Sequence, residues 1–204
     1  MEPFRRVAGI AAPLDRPNVD TDQIIPKQFL KRIERSGYGP FLFNDWRYHA
    51  DGSENLEFEL NRHPWRHAPV LLTGRNFGCG SSREHAAWAL EDYGVRAVVA
   101  PSFGDIFHTN ALKIGLLPVR IPEAVVARWI DLAIEEPGLE MVVDLEQGYV
   151  EFAGERQPID IDEHTRARLL EGLDDIALSL QQSDVIAAFE AQRPRWLPQT
   201  SALR

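Results

Sequence analysis

A single cysteine, two methionines and no long apolar run set this 204-residue sequence apart by what it does not contain. One cysteine, Cys79, cannot close an internal disulfide, and alone it cannot hold an iron–sulfur cluster, which takes several thiolates. Positive charge is scarce as well: 22 Lys and Arg against 31 Asp and Glu leave a net charge of -9. Phosphate backbones are bound by basic faces, so nucleic acid is excluded as a partner. No stretch approaches the length that crosses a bilayer, and the opening MEPFRRVAGIAAPLDRP has no signal-peptide core, so the expectation is a cytoplasmic chain with no membrane partner. Internal repeats and low-complexity tracts are absent too.

What is present is organised around residues 70–93, VLLTGRNFGCGSSREHAAWALEDY. Val70, Leu71 and Leu72 form a short apolar run between Pro69 and Gly74, the signature of a buried strand. The residues then turn small and polar, with Gly78 and Gly80 flanking Cys79, and Ser81-Ser82-Arg83-Glu84 opens a helical run that stops before Gly94. A strand, a glycine-bearing turn and a helix start expose unpaired backbone N–H groups and the positive end of the macrodipole. With two hydroxyls and a guanidinium alongside, a carboxylate or phosphate fits there. A structural reading stands beside this one: Ser81 with Glu84 has the spacing of a capping box. Capping does not call for a second serine, an arginine and two glycines; if Ser82 is the cap, Ser81 is left for chemistry. Cys79 lies just before the helix start, where a thiol pKa can be lowered, so it is either a nucleophile or a packing residue. No histidine and acid pairing accompanies it in the sequence.

Along the rest of the chain, residues 4–10 read as a first strand, and residues 13–22, rich in Pro, Asn and Asp, as a turn in which Asp20 and Asp22 either bond the backbone or serve the site beside Thr21. Residues 24–45 carry Lys27, Lys31, Arg32 and Arg35 and then Gly37 and Gly39 around Tyr38, which suggests a mobile loop or a short solvated helix. Residues 51–65 read as connection. Strand (96–101), helix (102–114), strand (116–121) in close order predicts an α/β unit with a partly parallel sheet, with His108 and Asn110 on a polar helix face. A helix at 122–136, a hairpin at 139–152 and closing helices at 162–172 and 183–191 complete a single domain of 1–204, with 1–130 as the motif-bearing body and 131–204 as a C-terminal extension.

The run Asn76-Phe77-Gly78-Cys79-Gly80-Ser81-Ser82-Arg83-Glu84-His85 resembles the swivelling C-terminal domain of the aconitase superfamily, and the likeness continues in Asp20-Thr21-Asp22-Gln23-Ile24-Ile25-Pro26, Phe43-Asn44-Asp45-Trp46-Arg47, Ala100-Pro101-Ser102-Phe103 and Leu116-Leu117-Pro118-Val119. Within the superfamily it is most similar to the small-subunit branch of the isopropylmalate dehydratases, whose members work with a separate large subunit. The resemblance implies a β/β/α swivelling fold, a [4Fe-4S] cluster held by the large subunit and none by this chain, and a hydroxy-diacid substrate dehydrated and rehydrated in leucine biosynthesis. It places the family's catalytic base at Ser81, its substrate-carboxylate ligands at Ser82 and Arg83, and Asp20, Thr21, Asp22, Glu84 and His85 in support.

Aconitases proper usually carry an acidic residue where Cys79 stands, which favours the isopropylmalate branch. Their arginine for a third carboxylate falls near Lys31 and Arg32 without a firm match. An alkyl group takes that place in isopropylmalate, so Leu30, Ile33 or Tyr38 is expected to line its pocket. Two alternatives stay open: a related small subunit, of homoaconitase or a methylmalate dehydratase, and a non-catalytic anion-binding module.

Overall fold

A computed structural model of the chain describes residues 1–31, 34, 36–194, 196 and 197. Contacts divide the chain into Met1–Gly172 and Leu173–Arg204. The boundary drawn from sequence at 130/131 falls instead inside a helix.

The first unit is built on β1 (Arg6–Leu14), whose last four residues are buried. A one-turn helix α1 (Thr21–Ile24) follows, capped by Asp20 in a capping box with Gln23. Residues 24–45, expected as a loop or solvated helix, instead form two 3-10 turns (Lys27–Lys31 and Gly39–Phe41) and the start of a second one-turn helix, α2 (Asn44–Arg47). Residues 51–65 are not mere connection: Phe58, Leu60 and Trp65 are buried in the core. Next come β2 (Val70–Thr73), α3 (Glu84–Tyr93), β3 (Ala97–Ala100), α4 (Asp105–Ile114) and β4 (Leu117–Arg120). α3 and α4 end on Gly94 and Gly115, both left-handed, as the stop signals predict. Asn110 departs from the expected polar face of α4, for it is buried.

After α5 (Glu123–Glu135) the predicted hairpin appears as β5 (Glu140–Asp144) and β6 (Tyr149–Phe152). It continues into β7 (Glu155–Pro158), a polar edge strand with no apolar run to announce it. α6 (Glu163–Glu171) closes the unit, tied back where Phe4 N–H donates to the Leu169 carbonyl at 2.8 Å.

The seven strands form one sheet in the order β4-β3-β2-β1-β5-β6-β7. The four strands β1 to β4 are parallel to their neighbours, and β5 joins β1 antiparallel. Side chains alternate between two cores: Leu71 and Val98 face α3, α4 and the segments 19–68, whereas Val70, Leu72 and Val99 face α5 and α6. This double burial explains why β2 and β3 read as continuous apolar runs.

The second unit holds α7 (Asp175–Leu180), capped where Asp174 accepts from Ala177 N–H, and α8 (Ser183–Ala191), with the bounds expected from the sequence. Neither helix contains a buried residue. Among the described residues, no helix is long and apolar enough to cross a membrane.

Candidate active site

Three parallel strands end side by side, and the loops that leave their C-terminal ends interlock. Ligand sites of open α/β sheets form at this edge. The segment after β1 lies along the segment after β2: Asn18 N–H donates to the Arg75 carbonyl (2.8 Å), Gly78 N–H to the Val19 carbonyl (2.7 Å) and Thr21 N–H to the Cys79 carbonyl (2.9 Å). The segment after β3 joins from the other side, as Phe77 N–H donates to the Ser102 carbonyl and Ser102 Oγ accepts from Asn76 N–H at 2.9 Å.

Local chemistry permits so tight a fit. Gly78 has φ +73°, and a Cβ there would sit 2.2 Å from Cγ of Phe107. A Cβ on Gly74 would meet the Arg16 carbonyl oxygen at 2.7 Å. Asn18 and Asn76 both occupy left-handed backbone, which asparagine tolerates, and Asn76 Nδ2 donates to Asn18 Oδ1 at 2.8 Å. Sequence reasoning missed this asparagine pair as site residues, and only their turn propensity could have marked them.

The interlock brings Asp20, Thr21 and Asp22 against the Ser81-Ser82-Arg83 run. Thr21, itself buried, donates from Oγ1 to the Ser81 carbonyl at 2.8 Å. Arg83 forms an ion pair through Nη1 with Oδ1 of Asp22, and Lys27 Nζ stands 3.4 Å from the other oxygen, Oδ2. Ser81 and Ser82 are exposed.

The helix does not begin at Ser81. α3 starts at Glu84, its N-cap residue is Arg83, and no side chain caps it, so the Ser81/Glu84 capping box is corrected: neither serine caps the helix. The capping box lies instead at Asp20 and Gln23. Glycine at 80, with φ +90°, turns the chain so that both serines precede the helix axis rather than join it. Among the described residues, the first N–H groups of α3 therefore have no side-chain cap, and the positive helix end is open to an anion.

His85 is half-buried, its ring edge-on to Tyr38 at 5.3 Å and tilted on Trp88 at 4.7 Å. Burial pushes its pKa down, and the Arg83 cation adds to this against the opposing pull of Glu84, so the imidazole is neutral at neutral pH. Tyr38 does not stand in a mobile loop: it is fully buried, its N–H donates to Asp92 Oδ2 at 2.7 Å, and its ring packs on α3. Leu30 is half-buried against the same core and Lys31 is exposed at the end of its 3-10 turn; Arg32 and Ile33 lie outside the described residues.

Arg47, read from the sequence only as the end of the Phe43–Arg47 run and given no role there, is buried and donates from Nε to Asn61 Oδ1 at 3.0 Å and from Nη1 to the carbonyls of Gly39 and Leu42. Its guanidinium also lies 4.7 Å from the Tyr93 ring, so it ties the 38–43 turn to the end of α3.

Cys79 is not activated. Burial, with nearby Asp20 contributing, pushes the thiol pKa up, and Sγ faces the Asn18 carbonyl at 3.5 Å. A lone protonated thiol does not suit an iron–sulfur cluster, and no group of three or more His, Cys, Asp or Glu is placed to hold a metal ion among the described residues.

Residues 1–124 match the aconitase C-terminal domain, and residues 175–200 match the C-terminal domain of the 3-isopropylmalate dehydratase small subunit. The chain is 56% identical over 200 residues to the 3-isopropylmalate dehydratase small subunit of Bacillus pumilus (strain SAFR-032), covering 97% of this chain and 99% of that one. The chain belongs to the 3-isopropylmalate dehydratase small-subunit family. A second member of this small-subunit family, from Bacillus subtilis (strain 168), is 52% identical over 200 residues, with 97% and 99% of the two chains covered. The crystal structure of 3-isopropylmalate dehydratase from Methanocaldococcus jannaschii superposes with a TM-score of 0.64 at 24% identity, over 91% of this chain and 99% of that one, and supports the fold.

Proposed function

We propose that the chain is the small subunit of a 3-isopropylmalate dehydratase and supplies half of a shared active site, interconverting 2-isopropylmalate and 3-isopropylmalate by loss and re-addition of water. The observation that carries this reading is the interlock of the Asp20–Thr21–Asp22 loop with the Ser81–Ser82–Arg83 turn at the open N-terminus of α3. Family membership supplies the substrate class; the interlock supplies the means.

Dehydration needs a base for the C–H next to a carboxylate, and Ser81 Oγ takes that proton. A serine hydroxyl is a weak base at neutral pH, so the developing negative charge must be met by fixed positive charge. Arg83 and the uncapped amides of α3 provide it, with Ser82 and Arg83 holding a substrate carboxylate; the guanidinium fork matches a carboxylate plane. Thr21, bonded to the Ser81 carbonyl, fixes the backbone that aims the base. Ser81 and Ser82 are exposed, so water is excluded from the reaction only once a second surface covers them.

The family resemblance assigns the [4Fe-4S] cluster to the large subunit, which would also bring that surface, and the donor set of this chain does not fit a cluster. The cluster would supply Lewis-acid assistance to the departing hydroxyl from the partner's side. Neither chain turns over alone.

The test is anaerobic turnover of 2-isopropylmalate by this chain, by a cluster-loaded large subunit, and by the two mixed. Activity is expected in the mixture only, and Ser81→Ala should remove about 10³-fold or more of it, the scale of losing a positioned base, while leaving subunit association intact. Near-normal activity of Ser81→Ala would refute the role of Ser81; no activity in any arm with the cluster intact would refute the substrate.

A further inference from the structure

Arg83 faces two carboxylates in turn: Asp22, which is always there, and the substrate, which must find it. A carboxylate attached to the same chain competes at high effective concentration. Were Asp22 to fork onto Arg83 through both oxygens, it would occupy the edge that a substrate carboxylate needs. The structure shows a different arrangement. Oδ1 is the Asp22 oxygen nearest Arg83, at Nη1, while Oδ2 is the one nearest Lys27, 3.4 Å from Nζ.

We infer that Lys27 is a positioning residue: it holds the second oxygen of Asp22 away from Arg83 and so keeps the guanidinium available to the substrate. The inference rests on the proposed role of Arg83 and adds a residue that role does not name.

Three features of the fold support it. Lys27 is placed by its backbone, directly after the buried Ile25 and Pro26 and at the first position of the 3-10 turn, so its stem starts beside α1, the helix that carries Asp22. Exposure falls along the triad, with side chains 74% exposed at Lys27, 38% at Asp22 and 11% at Arg83. The lysine is thus the solvated member and the arginine the fixed one. An ammonium is also a point charge that can engage one oxygen without imposing a fork of its own.

The test uses the complete heteromer carrying Ser81→Ala, which binds without turning over, titrated calorimetrically with 2-isopropylmalate. Lys27→Gln should raise Kd about fivefold, the worth of one exposed charge pair, and Lys27→Arg should bring it back to within about twofold. In an Asp22→Asn background the competing carboxylate is gone, so adding Lys27→Gln should change Kd less than about 1.5-fold. Parent-like binding by Lys27→Gln would overturn the inference. So would a full penalty that persists beside Asp22→Asn, because Lys27 would then act on the substrate directly. Arg83→Lys is the control that separates the two levels: unchanged binding there removes the Arg83 reading itself, whereas weakened binding there with parent-like Lys27→Gln removes only the role of Lys27.

Discussion

Up to Gly172 the chain turns most of its large apolar side chains inward, Phe77, Phe107, Trp129 and Phe152 among them, and leaves Leu56, Ile106 and Ile134 outside; in α7 and α8, Ile176, Leu180, Val185 and Phe189 stay exposed. Helices expected from the sequence appear in both regions, with α7 an addition that the sequence reading did not make. The regions differ in what holds the helices. α3 is pinned along its length by Tyr38, Ala86, Leu90 and Tyr93 in one core, whereas α7 rests on the Asp174 cap and on backbone hydrogen bonds. Local signals suffice to write a helix, but a site needs segments far apart in sequence to be held against one another.

Four changes would break or sharpen that contrast. Phe107→Ala empties a space in the core between Phe77, Phe103 and Gly78 and should cost about 3–5 kcal/mol in urea unfolding, while Phe189→Ala, made in an exposed helix, should stay within about 0.5 kcal/mol. Equal costs would erase the distinction between the regions. Arg47→Met should cost about 2–4 kcal/mol, since it takes their guanidinium donor from Asn61 Oδ1 and the Leu42 carbonyl and leaves the Gly39 carbonyl with Leu42 N–H alone, and amide exchange should rise first around Gly39 and Leu42. Slow exchange in that turn would show that Tyr38 packing alone holds it. Asp174→Ala should be the mildest, about 1 kcal/mol of helix stability, visible as faster exchange over 175–180 with the unfolding midpoint of the first unit unchanged. A shift of that midpoint would mean that the second unit contributes to the stability of the first.

Much of the fold was legible before any coordinates. β2, β3 and β4 are short apolar runs bounded by Gly or Pro, and α8 has the predicted limits, because burial on both faces of a strand and periodicity in a helix leave marks in neighbouring residues. β7 left none: Glu155–Pro158 is a polar edge strand formed by pairing with β6. The start of α3 was misjudged because Ser81 and Glu84 have capping-box spacing while the chain direction at that point is set by Gly80. Tyr38, between two glycines, resembles a loop residue until α3 is there to bury it.

The sequence by itself determined the chemical inventory of this protein: a single thiol, an anion-suited run at residues 80–85, and the family to which both belong. Only the tertiary structure decided which of those groups meet. Parallel pairing of β1, β2 and β3 in register sets their C-terminal loops side by side, and that placed Asp22 on Arg83 and Thr21 on Ser81. The physical reason is that strand pairing and loop closure act between residues remote in the chain, where no local pattern records the partner.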